Sequence, residues 1–199
     1  KNNHPDRELI VVCAWPQIFL NLPFVDKVYR LGHTAYFYQD YIKDQDSLIF
    51  KHEPYFTTDH IHKKKSLIDN WCDLYDLENN GETPELVFNN RELDVAKNLW
   101  SSQDPLLILH TNGGGFSPDS GLPYRWARDM PFNVAQELTD YYKSRYQVVQ
   151  VARPNSRLVN GAAAVTNEMT AMEYLSLLLH SEKRILIDSS LQHAARALD

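Results

Sequence analysis

The chain has 199 residues, which allows one domain or two small ones. Its 20 Lys and Arg residues against 26 Asp and Glu residues give a formal net charge of −6, which argues against nucleic acid as the main partner because proteins that bind the nucleic-acid backbone usually carry a net-basic surface. With 43% hydrophobic residues the chain can bury a core, and its longest apolar runs are far shorter than the roughly 20 residues that span a bilayer.

Strand-like and helical patterns follow one another in the first 84 residues. The continuous apolar run at 9–14 is typical of a strand buried on both faces, and shorter strands are predicted at 27–31 and 47–50. From Thr58 or Asp59, either of which can act as N-cap, apolar residues recur at spacings of three and four as far as Leu77. This pattern predicts a single helix there.

The middle of the chain contains the most linker-like segment, Asn-Asn-Gly-Glu-Thr-Pro at 79–84. A short strand at 86–88 and a helix capped by Asn90 and running to Trp100 are predicted after it. The residue before Pro105 is pushed out of helical conformation, so the helix ends before it. We therefore predict one domain at 1–84, a linker region at 85–104 and a second domain at 105–199.

The last hundred residues alternate more clearly between strand and helix. Strands are predicted at 106–110, 147–151 and 184–188, and helices at 133–146 and 191–198. Thr170 and Glu173 form a capping-box pattern that opens a further helix to Leu179. Apolar strands alternating with helices predict an α/β fold with a mostly parallel sheet.

Glycine is concentrated in one loop. The chain has seven glycines, and four of them lie between Gly113 and Gly121, directly after the apolar strand at 106–110. In the sequence His110-Thr111-Asn112-Gly113, followed by two more glycines, the backbone can approach a ligand closely and turn its N–H groups toward an anion. The motif is neither a P-loop nor a Rossmann fingerprint, and a glycine turn without a ligand is the alternative.

The second strand end with unusual chemistry is the segment 188–193, Asp-Ser-Ser-Leu-Gln-His. Ser189 or Ser190 can cap the following helix, and His193 falls in its first turn. Hydroxyls, free N–H groups and the positive end of a helix together suit a diphosphate, although ordinary capping by one serine explains part of the motif.

Two arginines lie between these segments. Arg125 and Arg128 are three residues apart and flank Trp126, an arrangement that suits phosphate binding beside a packed aromatic ring. A surface Arg–Asp pair with Trp126 in the core is the alternative.

Other motifs in the sequence give weaker evidence of function. His60 and His62 are two residues apart and point in different directions on a helix, so a metal site is disfavoured. The lysines at 63–65 are typical of a solvated face, with contact to an acidic substrate or membrane surface as the alternative. No nucleophile elbow for Ser-His-Asp catalysis is present.

In these residues the chain resembles glycosyltransferase family 9, the group of the lipopolysaccharide heptosyltransferases, over nearly its whole length. The most specific match is the segment 188–198, which is similar to the family signature Asp-Ser/Thr-Gly-x-x-His-x-Ala-x-Ala-Leu. The segments 3–12, 22–28 and 107–113 and the Tyr-Arg-Trp at 124–126 match weaker motifs in the same order. The resemblance implies a GT-B fold, with two Rossmann-like domains that both contain mostly parallel sheets.

The resemblance also implies which residues bind the nucleotide-sugar donor. Asp188, Ser189, Ser190 and His193 are expected to line its diphosphate, Thr111, Asn112 and Gly113 to contact the phosphates from the facing loop, and Met169 to pack on the base. Ser190 replaces the usual glycine, and Tyr124 replaces the usual lysine, so Arg125 or Arg128 is expected to supply the positive charge. These departures allow a donor other than ADP-heptose.

Both domains are expected to be incomplete, because the chain begins with Lys1 and ends inside a predicted helix. Family members start with a strand and a loop whose aspartate is the proposed general base, so no catalytic residue is assigned within this chain. Cys13 and Cys72, without a disulfide framework, favour reduced thiols in an intracellular protein.

The resemblance implies an inverting glycosyltransferase that moves heptose or another hexose-type sugar from a nucleotide diphosphate-sugar to a lipopolysaccharide or other surface glycan. No cofactor or metal is expected, only the nucleotide-sugar as co-substrate. The expected partners are that donor and a glycan or lipid-linked acceptor, with no nucleic acid, in the cytoplasm, and peripheral contact with the inner membrane is left open. The alternative is a non-catalytic GT-B-like module that binds a nucleotide or glycan. An NAD-dependent Rossmann enzyme is disfavoured by the glycine spacing.

Overall fold

A computed structural model describes residues 3–50, 53–99, 104–113, 128–153, 156–165 and 169–198. The chain forms two compact units, one from Lys1–Arg30 together with Glu85–Asp199 and the other from Leu31–Pro84. The second unit is thus inserted between two parts of the first. The predicted division into GT-B domains at 1–84 and 105–199 stays a prediction. No helix in the described ranges is long and apolar enough to cross a membrane.

The main element of the first unit is a four-stranded parallel sheet. Its strands are β3 (Leu106–His110), β4 (Gln147–Val151), β5 (Ala163–Val165) and β6 (Lys183–Ile185), in the order β5-β4-β3-β6. The predictions at 106–110 and 147–151 are confirmed residue for residue. β5 was missed, because three residues rich in alanine give no strand pattern, and β6 ends three residues earlier than predicted.

Helices cover both faces of this sheet. One core packs Leu107, Leu109 and Val148 against α5 (Phe132–Tyr142), and the other packs Ile108, Val149 and residues of α6 (Ala171–His180) and α7 (Ser190–Leu198). Alternate residues of β3 therefore point into opposite cores, as expected for a strand with side chains on two faces. All five residues of β3 are buried, which explains why its sequence is apolar throughout.

Helix ends in this unit follow the capping signals. α6 begins after Thr170, and both hydrogen bonds of the predicted capping box with Glu173 are present. α4 (Asn90–Leu99) is capped by Asn89 instead of the predicted Asn90, since Asn89 Oδ1 accepts the Glu92 N–H at 3.0 Å. The predicted strand at 86–88 is wrong, because the chain has no regular structure there.

The same unit contains a small parallel sheet of β1 (Ile10–Cys13) and β2 (Lys27–Arg30), linked through a 3-10 helix at Pro16–Phe19. The expectation that the first strand is buried on both faces is wrong. All four residues of β1 are partly or fully exposed, because a sheet of two strands leaves much of each strand uncovered. Cys13 here, and Cys72 in the second unit, are free thiols.

The second unit is built from short helices, namely α1 (Phe37–Tyr41), α2 (Thr58–Ile61) and α3 (Leu67–Leu74), with a 3-10 helix at Pro54–Phe56. The single helix predicted from 58 to 77 is broken because Lys63 has a left-handed φ of 54°, and Ser66 caps a new helix. Thr57, not Thr58 or Asp59, caps α2. The strand predicted at 47–50 is absent.

Candidate donor site

The candidate site lies where the carboxyl ends of β3 and β6 meet. The chain runs from β3 outward to β4 and β5, then returns to place β6 on the other side of β3. In open parallel sheets such a reversal of strand order leaves a crevice at the carboxyl ends of the two strands, and ligands bind there. The segments after these two strands, 111–113 and 186–189, are the two that the sequence singled out.

Gly113 is the closest meeting point of these segments. A Cβ built on this buried glycine would lie 3.2 Å from Ile187 Cδ1, 3.6 Å from Arg128 Cβ and 3.8 Å from the Asp188 carbonyl oxygen. Three predicted site residues, Gly113, Arg128 and Asp188, are therefore neighbours although they are far apart in sequence. A side chain at 113 would be tight only against the end of Ile187, because the other two distances are ordinary van der Waals contacts.

A side-chain hydrogen bond joins the segment after β6 to the last residue of β3. Ser189 Oγ lies 3.1 Å from His110 Nδ1 and accepts the Leu191 N–H at 3.3 Å, so Ser189 is the N-cap of α7. Burial lowers the pKa of His110, which a backbone hydrogen bond at Asn112 and the charge of Asp129 oppose. The ring is therefore neutral at pH 7, and it ties the first turn of α7 to the end of β3.

The Thr111 hydroxyl faces the protein interior. It accepts a hydrogen bond from Gln150 Nε2 at 2.9 Å and donates one to Asn112 Oδ1 at 2.9 Å. Gln150 is buried, and its Oε1 accepts the Val159 N–H at 2.9 Å. Thr111 thus fixes the loop after β3. Its backbone is used as well, since its N–H donates to the Val151 carbonyl at 3.2 Å and its carbonyl accepts the Met130 N–H at 2.9 Å.

Asp129 holds the glycine loop from the other side. Its Oδ1 accepts the Gly113 N–H at 3.1 Å, and its Oδ2 forms an ion pair with Arg153 at the end of β4. The Gly113 amide, which the sequence assigned to an anion, therefore has a carboxylate within the protein as its acceptor. The alternative to phosphate binding by Arg125 and Arg128 was a surface ion pair between one of these arginines and an aspartate. The ion-pair partner of Asp129 is instead Arg153.

The remaining predicted residues are spread around this point. Asp188, Ser190, His193 and Arg128 are exposed, with Ser190 as the first residue of α7 and His193 on its first turn. Met169 is half-buried and packs against the core beneath α6 and α7. Arg125 lies outside the described residues, as does Tyr124. The binding roles of all these residues stay predictions.

Four residues of the site were not assigned from the sequence: His110, Asp129, Gln150 and Arg153. His110 and Gln150 carried a signal, since each is a polar residue within or ending an otherwise apolar strand. Such a residue must find a partner when the strand is buried. Asp129 and Arg153 gave no comparable pattern, because charged loop residues are common.

Comparison with known proteins supports the architecture. No protein-family model and no curated protein matches this chain. Among solved structures, the ADP-heptose lps heptosyltransferase II of E. coli is 21% identical, with a TM-score of 0.47 over 63% of this chain and 40% of that one. The glycosyl transferase family 9 structure from Veillonella parvula DSM 2008 is 13% identical, with a TM-score of 0.51 over 90% of this chain and 46% of that one.

This chain thus spans less than half the length of either solved structure. The likeness to the Veillonella parvula structure extends over most of the chain, and it agrees with the parallel α/β architecture described above. The chain therefore has the GT-B type of α/β fold found in glycosyltransferase family 9, as the sequence motifs predicted.

Proposed function

We propose that this chain forms the donor-binding part of a glycosyltransferase. The enzyme moves heptose or another hexose-type sugar from a nucleotide diphosphate-sugar to a lipopolysaccharide or other surface glycan. The observation that carries the proposal is the closeness of Gly113 to Asp188 and to Arg128, beside the capped start of α7 and beyond the carboxyl ends of β3 and β6. The family 9 fold supports it.

The proposed chemistry is an inverting displacement. The acceptor hydroxyl attacks the anomeric carbon, the bond from that carbon to the diphosphate oxygen breaks, and a carboxylate base takes the hydroxyl proton. The leaving diphosphate gains negative charge, so donors already aimed at it lower the barrier. In this site the candidate donors are the Ser190 amide and hydroxyl at the start of α7 and the Arg128 guanidinium, since the next two amides of the helix already donate to Ser189.

The proposal includes a setting and a metal requirement. We place the reaction in the cytoplasm, where a lipid-linked acceptor at the inner membrane is within reach. Since hydrogen-bond donors and a guanidinium can stabilise the charge on the leaving diphosphate, we expect turnover to persist when EDTA removes divalent cations.

Thermal shift with a panel of ADP-, GDP- and UDP-sugars tests the proposal. A donor at 100 times its Kd stabilises the folded state by about 2.7 kcal/mol, which raises Tm by roughly 5–11 °C for a chain of this size. Ser190→Ala and His193→Ala should each reduce that rise. His180→Ala is the matched control, because His180 bonds to the Ser176 carbonyl within its own helix, α6.

The result against the proposal is also defined. If no nucleotide-sugar raises Tm, or if the rise survives both site substitutions unchanged, the crevice between β3 and β6 is not the donor site.

One observation favours a non-catalytic nucleotide or glycan binding module as the second candidate. The Thr111 hydroxyl and the Gly113 amide, both expected to hold phosphate, already have partners within the protein. A site with fewer free donors stabilises a leaving diphosphate less. Turnover assays separate the two candidates, since binding of a nucleotide-sugar without sugar transfer or hydrolysis supports the module.

A further inference from the structure

The Ser189 hydroxyl would have two acceptors for its single proton if a diphosphate bound beside it. A hydroxyl carries one proton and two lone pairs. The Leu191 N–H takes one lone pair, and His110 Nδ1 lies 3.1 Å away. A diphosphate in the crevice would be a second acceptor for the single hydroxyl proton. Ser189 can donate to the phosphate only if His110 stops accepting from it.

His110 Nδ1 can act either as acceptor or as donor in its hydrogen bond with Ser189. Its ring is buried beneath the loop, and a backbone hydrogen bond at Asn112 favours a proton on the ring. Since Nδ1 faces Ser189, we assign that proton to Nε2, which leaves Nδ1 as the acceptor for the Ser189 hydroxyl in the unliganded protein. A second proton on the ring would turn Nδ1 from acceptor into donor.

We propose that His110 is a positioning residue for the donor, acting through Ser189, and that binding of a nucleotide diphosphate takes up one proton at His110 Nδ1. The Ser189 proton then turns to a phosphate oxygen, and Nδ1–H donates to Ser189 Oγ. The proton comes from solvent, and no covalent bond among heavy atoms forms or breaks. This inference rests on the proposed function, because it needs a diphosphate in the crevice.

A bound diphosphate favours this uptake. The loops that meet near His110 contain two arginines, Arg128 and Arg153, and two aspartates, Asp129 and Asp188, and of these Asp129 is the group whose charge raises the pKa of the imidazole. Arg153 is already paired with Asp129. A diphosphate adds negative charge next to the ring, so the protonated form gains stability when the ligand binds.

Isothermal titration calorimetry tests the proton uptake directly. The probe is whichever of the ADP-, GDP- or UDP-sugars raises Tm, because a nucleotide-sugar diphosphate has no group of its own that titrates near neutral pH. Between about pH 6 and 8, Kd should fall as pH falls, by at most about tenfold per pH unit for one proton. Runs in two buffers of different ionisation enthalpy should show uptake approaching one proton per ligand.

Variants identify the group that titrates. His110→Asn keeps a polar group near the Nδ1 position without titrating there, and it should lose both the pH dependence and the proton uptake. His180→Asn is the matched control and should keep both. His193 lies in the first turn of α7 but is not the group proposed to take up the proton. His193→Asn should therefore weaken binding of the nucleotide-sugar and keep the proton uptake.

A measurement on the unaltered protein covers the case in which His110→Asn fails to fold. The ¹⁵N chemical shifts of the His110 ring should show an unprotonated Nδ1 without ligand and protons on both nitrogens with the nucleotide-sugar bound. An unchanged ring, or proton uptake that persists in His110→Asn, overturns this inference and leaves the proposed function standing. Failure of every nucleotide-sugar to bind at any pH overturns both.

Discussion

Gly113 holds the two halves of the candidate site at their closest distance. Its backbone φ is not in the left-handed region, so the reason for glycine here is space and not conformation. The nearest atom to an added Cβ is the end of the Ile187 side chain, which can move, while the Asp188 carbonyl lies just behind it. A methyl group at 113 would therefore displace the end of the Ile187 side chain, in the segment that leads to Asp188, by a few tenths of an ångström without straining the Gly113 backbone.

We predict that Gly113→Ala weakens nucleotide-sugar binding several-fold while the free energy of unfolding changes by less than about 1 kcal/mol, toward the low end for overpacking. Calorimetry and urea denaturation measure the two effects. Gly161→Ala is the control with the opposite pattern, since Gly161 has a φ of +87°. It should cost about 1–2 kcal/mol of stability and leave binding unchanged. Loss of stability without loss of affinity in Gly113→Ala would contradict this account.

The individual site residues show what a sequence can and cannot reveal. Gly113, Asp188 and Ser189 were identified because each follows a segment with a clear apolar pattern and because 188–198 resembles a family signature. The inward orientation of Thr111 was not predicted, because it depends on Gln150 from a different strand. Likewise, the link between Ser189 and His110 joins residues 79 positions apart, and no local pattern encodes such a pair.

Helix α6 is the best anchored of the helices around the site. Its capping box is complete, and Met172, Leu175, Leu177 and Leu178 are buried. It precedes β6 and so sets the position of the strand that leads into the Asp188 segment.

We expect Thr170→Ala to lower the free energy of unfolding by about 1 kcal/mol, because the Glu173 N–H loses its acceptor and the capping box is broken. Urea denaturation should show a lower midpoint with an unchanged m-value. Thr170→Ser retains the hydroxyl and should recover most of the loss. If the serine variant is as unstable as the alanine variant, the hydroxyl is not what stabilises α6.

Elements with strong local signals were predicted well and the others were not. β3, β4 and α6 combine a clear apolar period with turn or capping residues at their ends. β5 is held by pairing with β4, so its three residues carry no independent signal. The break between α2 and α3 depends on a left-handed Lys63, a conformation that lysine rarely adopts and that sequence therefore does not announce.

The two compact units differ in how much they bury. Within 31–84, Pro54 and Asn70 are the buried residues among those that the structure describes. The other unit buries Leu107, Ile108, Leu109 and Val149 almost completely. Local stability follows the density of buried apolar contacts.

We predict that hydrogen exchange separates the units. Backbone amides of β3 and β4 should exchange slowest, near the rate set by global unfolding, whereas amides of α2 and α3 should exchange through local opening. Exchange read by mass spectrometry on peptic fragments is sufficient to compare them. Equal protection in both units would show that the second unit is stabilised by more than its own small core. The measurement also tests the predicted first domain, 1–84, which combines residues 1–30 of one compact unit with the whole of the other.

The strand order has a consequence for synthesis on the ribosome. β3 and β4 can pair as soon as both have emerged, but β6 reaches its place beside β3 only after α6 has been made. Until then the nascent chain has the glycine loop without its counterpart. The candidate site is therefore completed only after β6 and the segment that follows it, and a nucleotide-sugar that binds there would favour chains that contain this segment over shorter intermediates.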